Sequence, residues 1–299
     1  MPVLATTSLS KRYPRVTALD ELTVEVGSGV TGLVGANGAG KSTLLKILLG
    51  LIAPTAGSAI VLGHDVVTGG EAVRALVGYM PEHDCLPPDV SATEFVVHLA
   101  QMSGLPATAA RERAADVLRH VGLDEARYRP MGGYSTGMKQ RVKLAQALVH
   151  DPKLVLLDEP TNGLDPAGRD EMLTLVRRIG TEFGIPVLIT SHLLGELEHV
   201  CDHIVVLDGG RLLRSESKAA LTGVTGVLAV EVRDLSGRDR LTAALTRVGA
   251  RARTDGPLIL VEIAGEETYD LVRDAIAELG LGLVRVEQHR HRLEEVFSV

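Results

Sequence analysis

Gly35-Ala36-Asn37-Gly38-Ala39-Gly40-Lys41-Ser42-Thr43 follows the short apolar run Val30–Val34 and leads into the helical pattern Leu44–Leu49. G-x-x-x-x-G-K-[ST] between a strand and a helix is the pattern of a phosphate-binding loop. Residues without a Cβ let successive N–H groups converge on an anion. The start of the following helix adds partial positive charge. In such a loop the lysine, here Lys41, pairs with the β- and γ-phosphates, and the Ser42 hydroxyl is placed to ligate Mg²⁺. A glycine-rich turn before a helix is the bland alternative, and the strand–loop–helix context argues against it. The whole loop, Gly35 to Thr43, is therefore expected to hold a nucleotide and its Mg²⁺.

Two further apolar runs end in polar residues. Leu154-Val155-Leu156-Leu157 ends in Asp158-Glu159-Pro160, and Leu188-Ile189-Thr190 ends in Ser191-His192. Carboxylates at the end of a buried strand are costly unless a cation or proton compensates. Beside a phosphate loop, Asp158 is expected to orient Mg²⁺ and Glu159 to act as general base on the attacking water. Taken alone, His192 reads as a capping or surface histidine. At a strand's carboxyl end in an open α/β sheet it is instead expected to touch a γ-phosphate.

Strands are expected at Val30–Val34, Leu154–Leu157, Val187–Thr190 and His203–Leu207, with helices at Lys41–Leu49, Ala107–His120, Met138–Val149 and Gly168–Glu182. That alternation predicts a mostly parallel sheet covered by helices. Asp208-Gly209-Gly210 reads as a hairpin turn into an edge strand, Arg211-Leu212-Leu213. Punctuation at Ser215–Gly226 marks a change of domain, and beyond it a βαβαβ rhythm begins at Val227–Arg233. Residues 1–215 and 216–299 are the expected domains, the second a small α/β unit.

The 31 basic and 38 acidic residues leave a net charge of −7, which argues against nucleic acid as a partner. Cys85 and Cys201 offer neither a disulfide framework nor zinc-ligand spacing. No apolar run approaches a membrane span, and Met1-Pro2-Val3-Leu4-Ala5 lacks the parts of a signal peptide. A cytosolic globular protein is expected.

Tyr134-Ser135-Thr136-Gly137-Met138-Lys139-Gln140-Arg141 resembles the signature motif of ABC transporter ATPases, usually Leu-Ser-Gly-Gly-Gln. Asn162-Gly163-Leu164-Asp165 is similar to that family's D-loop, and Ser191-His192 to its switch histidine. Tyr13 stands where the family stacks an aromatic on adenine. Over about residues 3–215 the chain thus resembles an ABC ATPase: a P-loop NTPase with a RecA-like core, an antiparallel β subdomain and a helical subdomain. The resemblance implies that the signature residues Ser135, Thr136 and Gly137 meet ATP held by an opposite subunit, and that Asp165 of the D-loop also binds nucleotide. One phosphate loop and one signature then imply a head-to-tail dimer, a homodimer as the simplest choice and a heterodimer as the alternative.

The signature departs from the usual form at Tyr134, Thr136 and Met138. In Gly78-Tyr79-Met80-Pro81-Glu82-His83, similar to the Q-loop region, Glu82 replaces glutamine and is a further candidate metal ligand. Such departures resemble exporter ATPases of the multidrug and antibiotic type. Arg292-Leu293-Glu294-Glu295-Val296-Phe297 looks like the end of their C-terminal extension. His289 and His291 read as part of a solvated segment in preference to a metal tract. The resemblance implies an ATP-hydrolysing exporter subunit at the inner face of the membrane. Its membrane permease is a separate chain, coupled through Asp84–Phe95. A soluble ATPase acting on DNA or ribosomes is the rival reading. The former class has a long coiled coil and the latter two cassettes in one chain, and neither feature occurs here. An ATP-dependent regulatory switch is the third.

Overall fold

The computed structural model describes residues 2–197, 200–217 and 224–290. The chain divides into two compact units, residues 1–218 and 219–299. Two long antiparallel strands, β1 (Leu4–Tyr13) and β2 (Val16–Val26), precede β3 (Val30–Val34), the phosphate loop and α1 (Lys41–Leu48). Then come β4 (Ala56–Val61), β5 (His64–Asp65), α2 (Gly70–Leu76) and β6 (Val77–Met80). Three helices, α3 (Ala92–Met102), α4 (Ala107–His120) and α5 (Thr136–Leu148), pack on one another. The unit continues through β7 (Leu154–Leu157), α6 (Pro166–Thr181), β8 (Val187–Ser191), α7 (Leu194–Leu197), β9 (His203–Asp208) and β10 (Arg211–Ser217).

One sheet is antiparallel, in the order β2-β1-β4-β5. The other runs β10-β9-β3-β8-β7-β6, parallel except for β10 at its edge. Every residue of β3, β7 and β8 is buried. Strands covered on both faces need uninterrupted apolar runs, and that is why these three were legible. Helix α1 is packed into the core between the two sheets. Its Leu44, Leu45, Ile47 and Leu48 share a core cluster with Leu4 and Leu22 of the antiparallel sheet and with Leu33 and Leu156 of the parallel one. Each such side chain contributes about 1.5–3 kcal/mol, and together they hold the phosphate loop between two fixed layers.

Local chemistry moved several boundaries. Helix α5 begins at Thr136, not Met138, because Ser135 caps it, with the Met138 N–H donating to Ser135 Oγ at 3.3 Å. Helix α6 begins at Pro166, not Gly168, with Asp165 as its cap and proline in the first turn. Strand β10 runs four residues past Leu213. Gly78 has a packing reason: a Cβ there would lie 2.0 Å from the Ala147 carbonyl oxygen, so α5 rests directly on the backbone of β6.

The second unit contains β11 (Val224–Val232), α8 (Leu235–Arg247), β12 (Ala252–Asp255), β13 (Leu258–Glu262), α9 (Glu267–Glu278) and β14 (Leu283–Arg290). Its sheet order, β12-β13-β11-β14, is antiparallel throughout, a ferredoxin-like βαββαβ arrangement. The expected βαβαβ rhythm missed β12. Arg253-Thr254-Asp255 is polar and exposed, so no apolar alternation announces it. The Arg292–Phe297 segment and His291 lie outside the described residues.

Candidate functional site

Ligands of open α/β sheets gather beyond the carboxyl ends of the strands. In the parallel sheet β6, β7, β8 and β3 are consecutive neighbours. Met80 stands beside Leu157, Leu157 beside Ile189, and Val34 beside Ser191. The segment bearing Glu82, the pair Asp158-Glu159, the pair Ser191-His192 and the phosphate loop therefore leave the sheet at one end.

Beside the loop lies an open cleft of about 330 Å³, walled by Ala18, Ala36 to Gly38, Gly40 to Thr43, Glu82 and Glu159. Gly40 adopts φ +100°, and a Cβ there would meet the Ala18 carbonyl oxygen at 2.4 Å, so only glycine fits where the backbone approaches β2. Lys41 is buried; its Nζ donates to Gly35 O at 2.6 Å and faces Glu159 Oε1 at 3.3 Å.

Glu159 sits between two partners. Its Oε2 lies 2.8 Å from His192 Nδ1, and its Oε1 accepts no hydrogen bond although it is buried. Its backbone has φ +49°, left-handed for a non-glycine residue. A conformation of that kind costs about 1–3 kcal/mol and persists where the surroundings over-determine it. The Glu159 N–H donates to Thr190 Oγ1 at 2.9 Å, which supplies part of that restraint.

Asp158 is 3% exposed. Its Oδ1 accepts from Thr190 Oγ1 at 2.8 Å and lies 3.5 Å from Ser42 Oγ. Burial pushes the Asp158 carboxyl above its ordinary value, with Glu82 and Glu159 adding to the effect and the Thr190 and Ser42 hydroxyls opposing it. Ser42 and Asp158 are hard oxygen donors beside each other, a set that suits Mg²⁺ completed by phosphate and water. Among the described residues no group of three His, Cys, Asp or Glu side chains forms a self-sufficient metal cluster. A cation here would thus depend on the nucleotide for part of its coordination.

Other expected residues lie apart from the cleft wall. Tyr13, at the end of β1, is 45% exposed, with the Lys11 ammonium 5.3 Å from its ring centre. Ser135 and Thr136 are exposed at the start of α5, with Gly137 partly covered. They abut the D-loop: a Cβ on Gly163 would come 3.3 Å from Thr136 Cγ2. Asp165 Oδ1 accepts from Gly168 N at 3.2 Å as the cap of α6.

Two contributors, Thr190 and Lys143, have no assignment in the sequence analysis, and Asn162 figures there only as the start of the D-loop segment. Thr190 links Asp158 to the Glu159 backbone, and its signal was one polar residue at the end of an apolar strand. Asn162 Nδ2 donates to Glu82 Oε1 at 3.3 Å. Lys143, buried inside α5, donates to the carbonyls of Pro81 and Glu82. Nothing local marks Lys143, and the D-loop pattern does not show that Asn162 reaches Glu82.

The ABC transporter family profile matches residues 19–162. An uncharacterized ABC transporter ATP-binding protein of Bacillus subtilis (strain 168), YxlF, is 34% identical across 99% of this chain and 98% of its own length. The daunorubicin resistance ATP-binding protein DrrA3 of Streptomyces coeruleorubidus is 35% identical, covering 96% of this chain and 92% of the relative. Among solved structures, cbiO1 from Clostridium perfringens, part of the ABC transporter complex cbiONQ, superposes with a TM-score of 0.69 at 26% identity, over 83% of this chain and 97% of its own. The dimeric post-hydrolysis cassette MJ0796, bound to ADP and Pi, shares the fold at TM-score 0.66 and 24% identity, over 72% of this chain and 98% of its own.

The fold and the strand-end site are thus those of an ATP-binding cassette, an enzyme that binds and hydrolyses ATP. Within that class the chain belongs to the ABC transporter ATP-binding proteins, matched by a relative over nearly its whole length. Among its described residues no helix is long and apolar enough to cross a membrane.

Proposed function

We propose that this chain is the ATP-hydrolysing subunit of an exporter of drugs, antibiotics or other amphipathic molecules, working as a head-to-tail homodimer on a separate membrane permease. The observation that carries the hydrolytic part is Glu159, poised between Lys41 and His192 at the mouth of the phosphate loop. When ATP enters, its β- and γ-phosphates draw Lys41 away from Glu159. The freed carboxylate takes a proton from water as the water oxygen bonds to the γ-phosphorus. The bond from that phosphorus to the β–γ bridging oxygen breaks, and ADP leaves with that oxygen. His192 holds Glu159 from the other side and contacts the γ-phosphate. Mg²⁺, held by Ser42 and Asp158 with Glu82 close by, would neutralise phosphate charge when bound.

The exposure of Ser135 and Thr136, away from the chain's own cleft, supports their use on ATP of a second copy, with Gly137 and Asp165 beside them and Tyr13 against adenine. The names of DrrA3 and of the bacitracin transport ATP-binding protein BcrA of Bacillus licheniformis favour an exporter. So does the match to DrrA3 over 96% of this chain, which takes in most of the second unit. Residues 216–299 then form an accessory domain of that exporter. The chain works at the cytoplasmic face, without nucleic acid.

The test is Glu159→Gln, purified from native membranes in mild detergent with ATP and Mg²⁺. The substitution keeps binding and removes the base. A closed dimer carrying an integral membrane protein in a two-to-two assembly is expected. A ribosome, DNA or no partner in its place would overturn the exporter reading.

A further inference from the structure

Helix α5 turns one face toward the loop that follows β6. Lys139, Lys143 and Gln146 stand at positions i, i+4 and i+7, so they lie along one stripe. Lys139 Nζ pairs with Asp84 Oδ2 at 2.8 Å. Lys143 Nζ donates to Pro81 O and to Glu82 O, each at 2.8 Å. Cys85 Sγ lies 3.7 Å from Gln146 Oε1. Gln140, beside the stripe, donates to Asn162 O at 3.0 Å, and Asn162 in turn holds the Glu82 carboxylate.

The lysine at the centre is the costly member. Lys143 is 3% exposed. Burying an ammonium is unfavourable unless its N–H groups are bonded, and an apolar side chain of similar volume fills such a place more cheaply. Both of its bonds are spent on consecutive backbone carbonyls of the segment that carries Glu82 into the cleft wall.

We propose that Lys143 is a positioning residue for ATP hydrolysis: it fastens the loop bearing Glu82 to α5, whose N-terminal cap is Ser135, so that the two keep one spacing. The proposal deepens the reading above, in which Ser135 meets ATP across the dimer. Closure of a second copy on ATP then presses on α5 and reaches Glu82 through Lys143.

The experiment compares the full-length chain with Lys143→Met, Lys143→Gln, Glu82→Ala and Lys143→Met/Glu82→Ala. It reads steady-state ATPase and amide hydrogen exchange. Lys143→Met is expected to lower kcat about tenfold and leave the KM for ATP within about twofold, because the phosphate loop is untouched. Exchange is expected to rise over residues 81–86 and to stay unchanged in α1 and β3. Lys143→Gln, which keeps an N–H donor, recovers part of the loss and stands in should the methionine variant fold poorly. In the Glu82→Ala background the methionine substitution costs less than about twofold more, since its effect passes through Glu82.

Losses that multiply, a change in KM alone, or exchange raised evenly across the unit would overturn the proposal. The exchange measurement needs neither ATP nor a second copy, so its failure is distinguishable from failure of the dimer reading.

Discussion

At the residue scale, the site rests on one hydroxyl that the motif pattern does not include. Thr190 is fully buried, donates to Asp158 Oδ1 and accepts from the Glu159 N–H. Thr190→Val keeps the shape and removes both bonds, which leaves a buried carboxylate oxygen and a strained amide under-satisfied. The expected cost is about 1–3 kcal/mol of stability, read as a lower Tm. The expected kcat is about ten- to a hundredfold lower with KM for ATP little changed, because a misplaced base slows chemistry before it weakens binding. An unchanged kcat would mean that the Asp158-Glu159 pair is held by its own strand end. Lys41, Ser42, Asp158, Glu159 and His192 were legible in the sequence because each closes a recognisable local run. Thr190 sits within such a run, where the pattern says strand and nothing in one dimension tells which way its hydroxyl points.

At the scale of elements, α5 is the organiser. Its cap is Ser135, its middle grips the segment after β6, and its end approaches β6 itself. There the half-buried His150 donates from Nε2 to the Val77 carbonyl at 3.2 Å. Burial pushes the His150 imidazole below its ordinary 6.5, with Arg113 lowering it further, against that hydrogen bond and Asp151. The unfolded chain therefore binds the proton more tightly than the native one. The stability this histidine contributes is complete above pH 6.5 and is lost as pH falls through 6.5 toward the native value. Thermal melts of the native chain are expected to drop more steeply below pH 6.5 than those of His150→Gln. Parallel slopes would remove His150 as the source. Helix α5 starts two residues earlier than the sequence pattern predicts: Thr136 and Gly137 are poor helix formers, and the Ser135 cap overrides their preference.

At the scale of the whole molecule, the composite site of the proposed dimer has a simple arithmetic. Lys41→Ala disables a chain's own phosphate loop and leaves its signature intact. Ser135→Arg does the reverse, at an exposed position where the larger side chain fits without disturbing the core. Each variant alone is expected to be inactive. A mixed dimer unites the intact loop of one chain with the intact signature of the other, so mixing equal amounts restores hydrolysis to at most about a quarter of the native rate. No recovery on mixing, with exchange between dimers verified, would argue for sites complete within one chain. In the second unit, strands of β-branched and apolar residues such as β11 and β13 were readable. The polar β12 was not, because a short edge strand is held mainly by hydrogen bonds to its neighbour.

The sequence by itself determined the phosphate loop, the acid pair, the histidine, the apolar strands that carry them and the family they belong to. Each of these is written in contiguous residues whose chemistry and period declare their structure. Only the tertiary structure decided which strands lie side by side, and so that Glu82, Glu159, His192 and the loop meet at one end of the sheet. It also decided that Lys143 and Thr190 are buried partners of residues far away in the chain. Such contacts are settled by how helices and sheets pack across long sequence separations, where no local pattern records which polar group will face which.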